Sequence, residues 1–167
     1  MVAARLDAFM ADDATTDRRG TIAPEVCRRG WTEAFATKSP GAFGAALADD
    51  VVLEASVMTR PIEGCDRVMR VMGIASEIYE SLAFTHEATN GPRTYLEWEA
   101  TAFGGLKLHG VTVLTIDRDG RIVHAAIHHR PLGAALRFSQ EMRERTAGVV
   151  DPGHFHGPDE HDSNPRP

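Results

Sequence analysis

The feature that most constrains the fold is a change of hydrophobic period part-way along the chain. Over residues 65–81 the apolar side chains Val68, Val71, Met72, Ala75, Ile78 and Tyr79 recur at three- and four-residue spacing, which predicts one long amphipathic helix. From residue 83 the period becomes two. Residues 83–89, 93–103, 106–117 and 121–129 read as strands, separated by Asn90-Gly91-Pro92, by Gly104-Gly105 and by Asp117-Arg118-Asp119-Gly120. Connections this short join antiparallel neighbours. Ahead of the long helix, Pro24 suits the first turn of a helix through Ala36, and Ser39-Pro40 opens a second through Leu47 with Ser39 as its N-cap. Residues 51–57 are a short β-rich run, broken by residues 60–64. Pro131 ends the last strand and residues 132–147 form a closing helix. Helices set apart from an antiparallel meander make the class α+β rather than alternating α/β.

A length of 167 residues with 43% hydrophobic and 25% charged content is that of one globular domain. A core of that size needs no disulfide or metal staple. The domain is expected over residues 21–147, between an N-terminal extension at 1–20 and a polar tail at 148–167 that is rich in Pro, Gly, Asp and His and expected to be flexible. His154, His156 and His161 lie in this tail, where a metal site would lack a scaffold. The net charge of −6 gives no general attraction to nucleic acid. No apolar run approaches the ~18 residues that would span a membrane. The N-terminus lacks the apolar core of a signal peptide, and Cys27 and Cys65 are not in a CxxC spacing, so both read as free thiols of a cytoplasmic protein. No phosphate loop, dinucleotide fingerprint or Cys/His metal spacing is present, so neither a cofactor nor a metal is expected.

Two segments carry a family resemblance. Ala48-Asp49-Asp50-Val51-Val52-Leu53-Glu54, followed by Pro61-Ile62-Glu63-Gly64 and the long helix, resembles the nuclear transport factor 2-like superfamily, as does the run from Gly110 to Ile122. This group includes ketosteroid isomerase, SnoaL-like polyketide cyclases and limonene epoxide hydrolase. The resemblance covers about residues 22–146. It implies a curved antiparallel sheet wrapped around the helices, a cystatin-like cone with an internal apolar pocket, and often a homodimer. It also implies an apolar small molecule as the ligand. At the positions matching ketosteroid isomerase's catalytic aspartate, oxyanion tyrosine and oxyanion acid, this chain has Ala55, Trp31 and Thr112. Neither Ala nor Trp can move a carbon-bound proton or stabilise an enolate in those ways, so ketosteroid isomerase activity is not expected.

The resemblance sets strand parity: with Thr112 facing the pocket, Leu108, Gly110 and Leu114 do too, and on the last strand Ala125, Ile127 and His129. A two-residue Gly104-Gly105 turn would pair Glu97 with Thr112 and Glu99 with Gly110, turning Tyr95, Glu97 and Glu99 inward and leaving space for a ligand at Gly110. Alternation alone says the reverse, polar residues outward and Leu96, Trp98 and Ala100 inward, and a one-residue slip decides between the two. Turned inward, two carboxylates ~6.6 Å apart would repel by about 2.5 kcal/mol, enough to poise one for general acid–base work. His129 is the second acid–base candidate. Ala55, Trp31, Met72, Tyr95 and Thr112 are the candidate ligand contacts, with core packing the simpler reading of Trp31 and Met72. His86, His109, His124 and His128 read as outward-facing. Val111, Val113 and Trp98, if outward, would be covered by a second copy of the chain.

Two functions fit. One is a metal-independent isomerase, cyclase or hydratase acting on an apolar substrate, with Glu97 or Glu99 as base or acid and His129 as partner. The other is a non-catalytic ligand-binding or dimerisation module. A carboxylate inside the cone favours the first; a pocket filled by side chains favours the second.

Overall fold

A computed structural model describes residues 24–157. Two short helices, α1 (Pro24–Thr37) and α2 (Pro40–Ala46), lead into strand β1 (Leu47–Ala55). A two-residue strand β2 (Ile62–Glu63) precedes α3 (Cys65–Ile78), and β3 (Tyr79–Asn90), β4 (Arg93–Ala102), β5 (Leu106–Ile116) and β6 (Ile122–Arg130) form the meander before α4 (Leu132–Arg145). The strands make one curved, unclosed sheet in the order β2-β1-β6-β5-β4-β3. All its pairings are antiparallel except β1 with β6. The α+β cone is therefore as expected. The segment 60–64, expected only as a break, contributes the edge strand β2 against Val52 and Leu53.

The long helix is shorter than its stripe. It ends at Ile78, and Tyr79 already pairs with Ala102 across the sheet. Tyr79 satisfies both periods, because the last apolar position of the helical stripe is also the first inward position of β3. Irregular pairing between Tyr79 and Ser81 and between Phe84 and His86 bends β3 and lets the sheet curl around the helices.

The β4–β5 turn decides which side chains enter the cone. It contains three residues rather than two: Phe103, Gly104 and Gly105 all have positive φ, and Ala102 pairs with Leu106. Glu80 on β3 holds this turn, its carboxylate accepting the Gly104 N–H at 2.6 Å and the Gly105 N–H at 3.1 Å. The extra residue shifts the register by one. Leu96 pairs with Thr112 and Trp98 with Gly110, while Glu97 faces Val111 and Glu99 faces His109. Trp98 thus turns inward at 2% exposure, and Tyr95, Glu97 and Glu99 turn outward. This corrects the inward placement of the three polar residues. On β5 and β6 the expected parity stands: Leu108, Gly110, Thr112 and Leu114 are buried, as are Ala125 and Ile127.

Residues 148–157 also depart from expectation. The chain after α4 folds back through a 3₁₀ turn at Pro152–His154 and inserts Phe155, 1% exposed, beside Met58. One aromatic residue in a polar tail suffices to anchor it, since burying a Phe is worth roughly 2 kcal/mol. The extension 1–20, the remainder of the tail with His161, and the side chain of Cys27 lie outside what is described.

Candidate functional site

The sheet's concave face, α3 and α4 enclose one cavity that is almost wholly apolar. Its wall includes Leu53 and Ala55 from β1, Met72 and Ala75 from α3, and Phe138 and Met142 from α4. Trp98, Thr112, Ile127 and His129 line it from the meander. The free space within is small, about 30 Å³. Ala55, Met72, Thr112 and His129 therefore stand where the sequence placed them. Trp31 does not line the cavity. It is fully buried behind it, with edge-on ring contacts to Phe35 and Phe43, and Phe35 takes the wall position.

Gly110 does not leave room for a ligand. The Trp98 indole lies across it, so that a Cβ at residue 110 would overlap the indole Cζ2 and the His128 carbonyl. Glycine here permits a close approach of ring to backbone. The indole N–H then donates to the Thr112 hydroxyl at 3.2 Å, so a buried donor and a buried hydroxyl satisfy each other.

The cavity's remaining polarity is concentrated at His129. Its Nε2 lies 3.1 Å from the Tyr79 hydroxyl, and its Nδ1 lies 3.4 Å from the Ser56 Oγ. Ser56 Oγ also accepts the His129 backbone N–H at 2.8 Å. The imidazole packs edge-on to Trp98 and tilted against Phe138, and Tyr79 stacks on Phe138 from the other side. This aromatic enclosure removes water from the ring. Burial, with His128 adding a smaller repulsion, lowers the His129 pKa from 6.5 to about 4, against a hydrogen bond with the Ile127 backbone that raises it. Burial alone pushes the Tyr79 hydroxyl well above the ordinary tyrosine value. At neutral pH both groups are uncharged. A neutral imidazole has one N–H and one bare nitrogen, so it can take a proton on one side while giving one up on the other. Ser56 is exposed in an open groove beside the cavity, and the series Ser56–His129–Tyr79 runs from solvent into the apolar interior.

Glu97 and Glu99 serve a different surface. On the outer face Glu97 meets His86 at 3.2 Å and Arg130 at 3.5 Å, Glu99 meets His109 at 3.6 Å, and Glu54 meets His124 at 3.3 Å. Among the described residues no three His, Cys, Asp or Glu side chains come together as a metal site. Cys65, at the start of α3, has its thiol pushed up by burial and then by Asp49 and Asp66, which leaves it in the thiol form.

The profile of the SnoaL-like domain matches residues 28–125. The chain belongs to the SnoaL-like family. With it comes the nuclear transport factor 2-like superfamily, whose cone this sheet reproduces. Similar solved structures include a steroid delta-isomerase from Pseudomonas aeruginosa, 23% identical, covering 75% of this chain and 92% of that one with a TM-score of 0.69. An uncharacterised protein with a cystatin-like fold from Silicibacter pomeroyi is 22% identical, covering 77% and 89% at the same TM-score of 0.69. A de novo designed protein with a curved β-sheet is 18% identical, covering 70% and 97%, with a TM-score of 0.59. Among the curated proteins none matches in sequence. At these identities the structures establish the fold and leave chemistry to the site.

Sequence reasoning did not single out Tyr79, absorbed into the helical stripe, or Phe155, in the tail, both of which line this SnoaL-like cavity, nor Ser56, which lies outside any motif and lines the groove beside it. For Tyr79 a signal existed, since tyrosine favours strands.

Proposed function

We propose that this SnoaL-like protein binds an apolar small molecule carrying one hydrogen-bonding oxygen, and moves a proton on it in an isomerase, cyclase or hydratase step. What supports the reading is the Ser56–His129–Tyr79 series opening into an otherwise apolar cavity. Tyr79, kept protonated, donates to the ligand oxygen. His129, kept neutral, takes the carbon-bound or hydroxyl proton at one nitrogen and gives up the proton on the other through the Ser56 hydroxyl, which releases its own to solvent, avoiding a buried imidazolium. Glu97 and Glu99 have no part in it. Ala55, in the cavity wall, offers no base where ketosteroid isomerase has its aspartate, so in this reading proton abstraction falls to His129. The test is incorporation of deuterium from D2O at the α-carbon of apolar cyclic ketones, followed by NMR. Wild-type protein should exchange them above the solvent rate and His129→Gln at least about 100-fold more slowly, with both folded by circular dichroism. Ketones that bind without exchange would leave a binding module.

That second reading has its own support in the small free space of the cavity, which ligand entry has to enlarge. We also propose a homodimer through the outer sheet face, where Val111 and Val113 remain half-buried beside Tyr95 and Ala126. Light scattering should then give twice the 18.2 kDa of one chain; a monomer at micromolar concentration would refute it.

A further inference from the structure

The C-terminal strap, residues 148–157, adds a wall to the cavity from beyond the segment matched by the family profile. Phe155 lines it together with Met58, Phe138 and Met142. The strap is clasped by polar contacts on its outer side. Arg143 donates to the carbonyls of Pro152 and Phe155, each at 3.2 Å, and Thr59 donates its N–H to the His154 carbonyl at 2.9 Å. Asp151 pairs with Arg60 at 3.1 Å and accepts the Gly153 N–H at 2.7 Å. At its far end, the buried Ser139 hydroxyl accepts the His156 N–H at 2.9 Å while donating to the Val57 carbonyl at 2.6 Å. Arg60, Thr59 and Asp151 are exposed, so water can replace their contacts at little cost.

Two volumes share Ala55, Met58 and Ile127 as lining. On the inner side is the cavity, whose free space of about 30 Å³ holds a water and no organic ligand. On the outer side is an open groove of about 280 Å³ along Ser56, Thr59, Arg60 and His128. Met58 lines both, and Phe155 is its partner across a β-bridge. Of the three shared residues Met58 has the longest and most flexible side chain, and Phe155, bridged to it, lines the cavity and not the groove.

We propose that Phe155 is the pocket's built-in occupant and sets the size of what it accepts: the ligand enters from the groove past Met58, takes the place of the Phe155 ring as the strap lifts, and is an apolar molecule bearing a ring about as wide as phenyl. This rests on the reading of the cavity as a ligand pocket. Closed strap and bound ligand compete for one space, so the apparent affinity is reduced by the fraction of molecules whose strap is open.

Toluene is the probe, titrated into the full chain while NMR follows the Trp98 indole N–H inside the cavity. Arg143→Ala and Asp151→Asn loosen the clasp without touching the wall, and Asp151, exposed, is a safe position should Arg143→Ala fail to fold. Each should bind toluene at least threefold more tightly than wild type, with faster amide exchange at 154–156. Phe155→Ala should bind most tightly. Faster strap exchange with wild-type affinity would overturn the gate while leaving the pocket. Binding by Phe155→Ala alone would also overturn it, since the site would then be a cavity made by the substitution. An indole signal unmoved in every variant would sink the pocket reading and the gate with it.

Discussion

The two faces of β4, β5 and β6 carry alternate residues of the same three strands and have opposite chemistry. The inner face presents Leu96, Trp98, Leu108, Leu114 and Ile127, with a few polar groups each tied to a named partner. The outer face presents Glu97, Glu99, His109, His124 and Arg130, joined in exposed pairs at 3.2 to 3.6 Å. Parity therefore decides what each side chain can do. A carboxylate outside meets water and a cation, whereas an imidazole inside is stripped of water and its proton affinity changes by more than a hundredfold. The inner face should therefore be sensitive to small changes and the outer face, apart from the apolar patch at Val111 and Val113 proposed to pair with a second copy, tolerant of larger ones.

The sharpest test is the smallest side chain. Gly110→Ala adds one methyl to the inner face, but it overlaps the Trp98 indole and the His128 carbonyl, neither of which is the free end of a flexible chain. We expect a loss of at least about 3 kcal/mol in urea unfolding, or no folding, because forced overpacking moves backbone. A change in Tm of under two degrees would mean that Trp98 is not packed across residue 110. Phe155→Ala should cost roughly 3 kcal/mol, the usual cost of emptying a buried aromatic site, and deletion of 151–167 should cost at least as much. Unchanged melting of the deletion would return residues 148–157 to the status of a flexible tail.

His129 supplies a pH test of the inner face. Its folded pKa of about 4 lies below the unfolded 6.5, so between these values the unfolded chain binds more protons. Stability is full above pH 6.5 and falls as pH drops towards 4, by about 3 kcal/mol in all. His129→Gln should lose this slope, and the difference between the two unfolding curves isolates the contribution from other groups. Parallel curves over that range would place the imidazole in water.

The fold was legible because its signals are redundant: the change of period, the turn residues and the two family segments all point to the same cone. The site was less legible because it hangs on local counts. One extra turn residue, Phe103 in positive φ, exchanged Glu97 and Glu99 for Trp98 as pocket residues, and nothing in the pair Gly104-Gly105 distinguishes a two-residue loop from a three-residue one. Glu80, which holds the turn from the neighbouring strand, is not legible because the period-two pattern begins only after it. His129 was legible because its parity comes from β5 and β6, which the turn does not affect. Phe155 was hidden by its surroundings, since composition describes a tail on average and burial depends on one ring.

The smallest expected effect is on the outer face. Glu97→Gln removes a carboxylate that His86 and Arg130 both approach, and the count of partners suggests a large loss. Exposure says otherwise: the Glu97 side chain is 42% exposed, His86 80% and Arg130 65%. Such pairs gain little over hydration, lose side-chain freedom and are screened by salt, so they contribute at most about 1 kcal/mol. Glutamine keeps the shape and a carbonyl acceptor, which should hold the change within about 0.5 kcal/mol of wild type, smaller still in 0.5 M salt. Deuterium exchange into a bound ketone should be unaffected, since the strand separates this carboxylate from the cavity. A loss of more than 2 kcal/mol, or of exchange activity, would put Glu97 inside the cone, restore the two-residue turn and reverse the assignment of every side chain on β4.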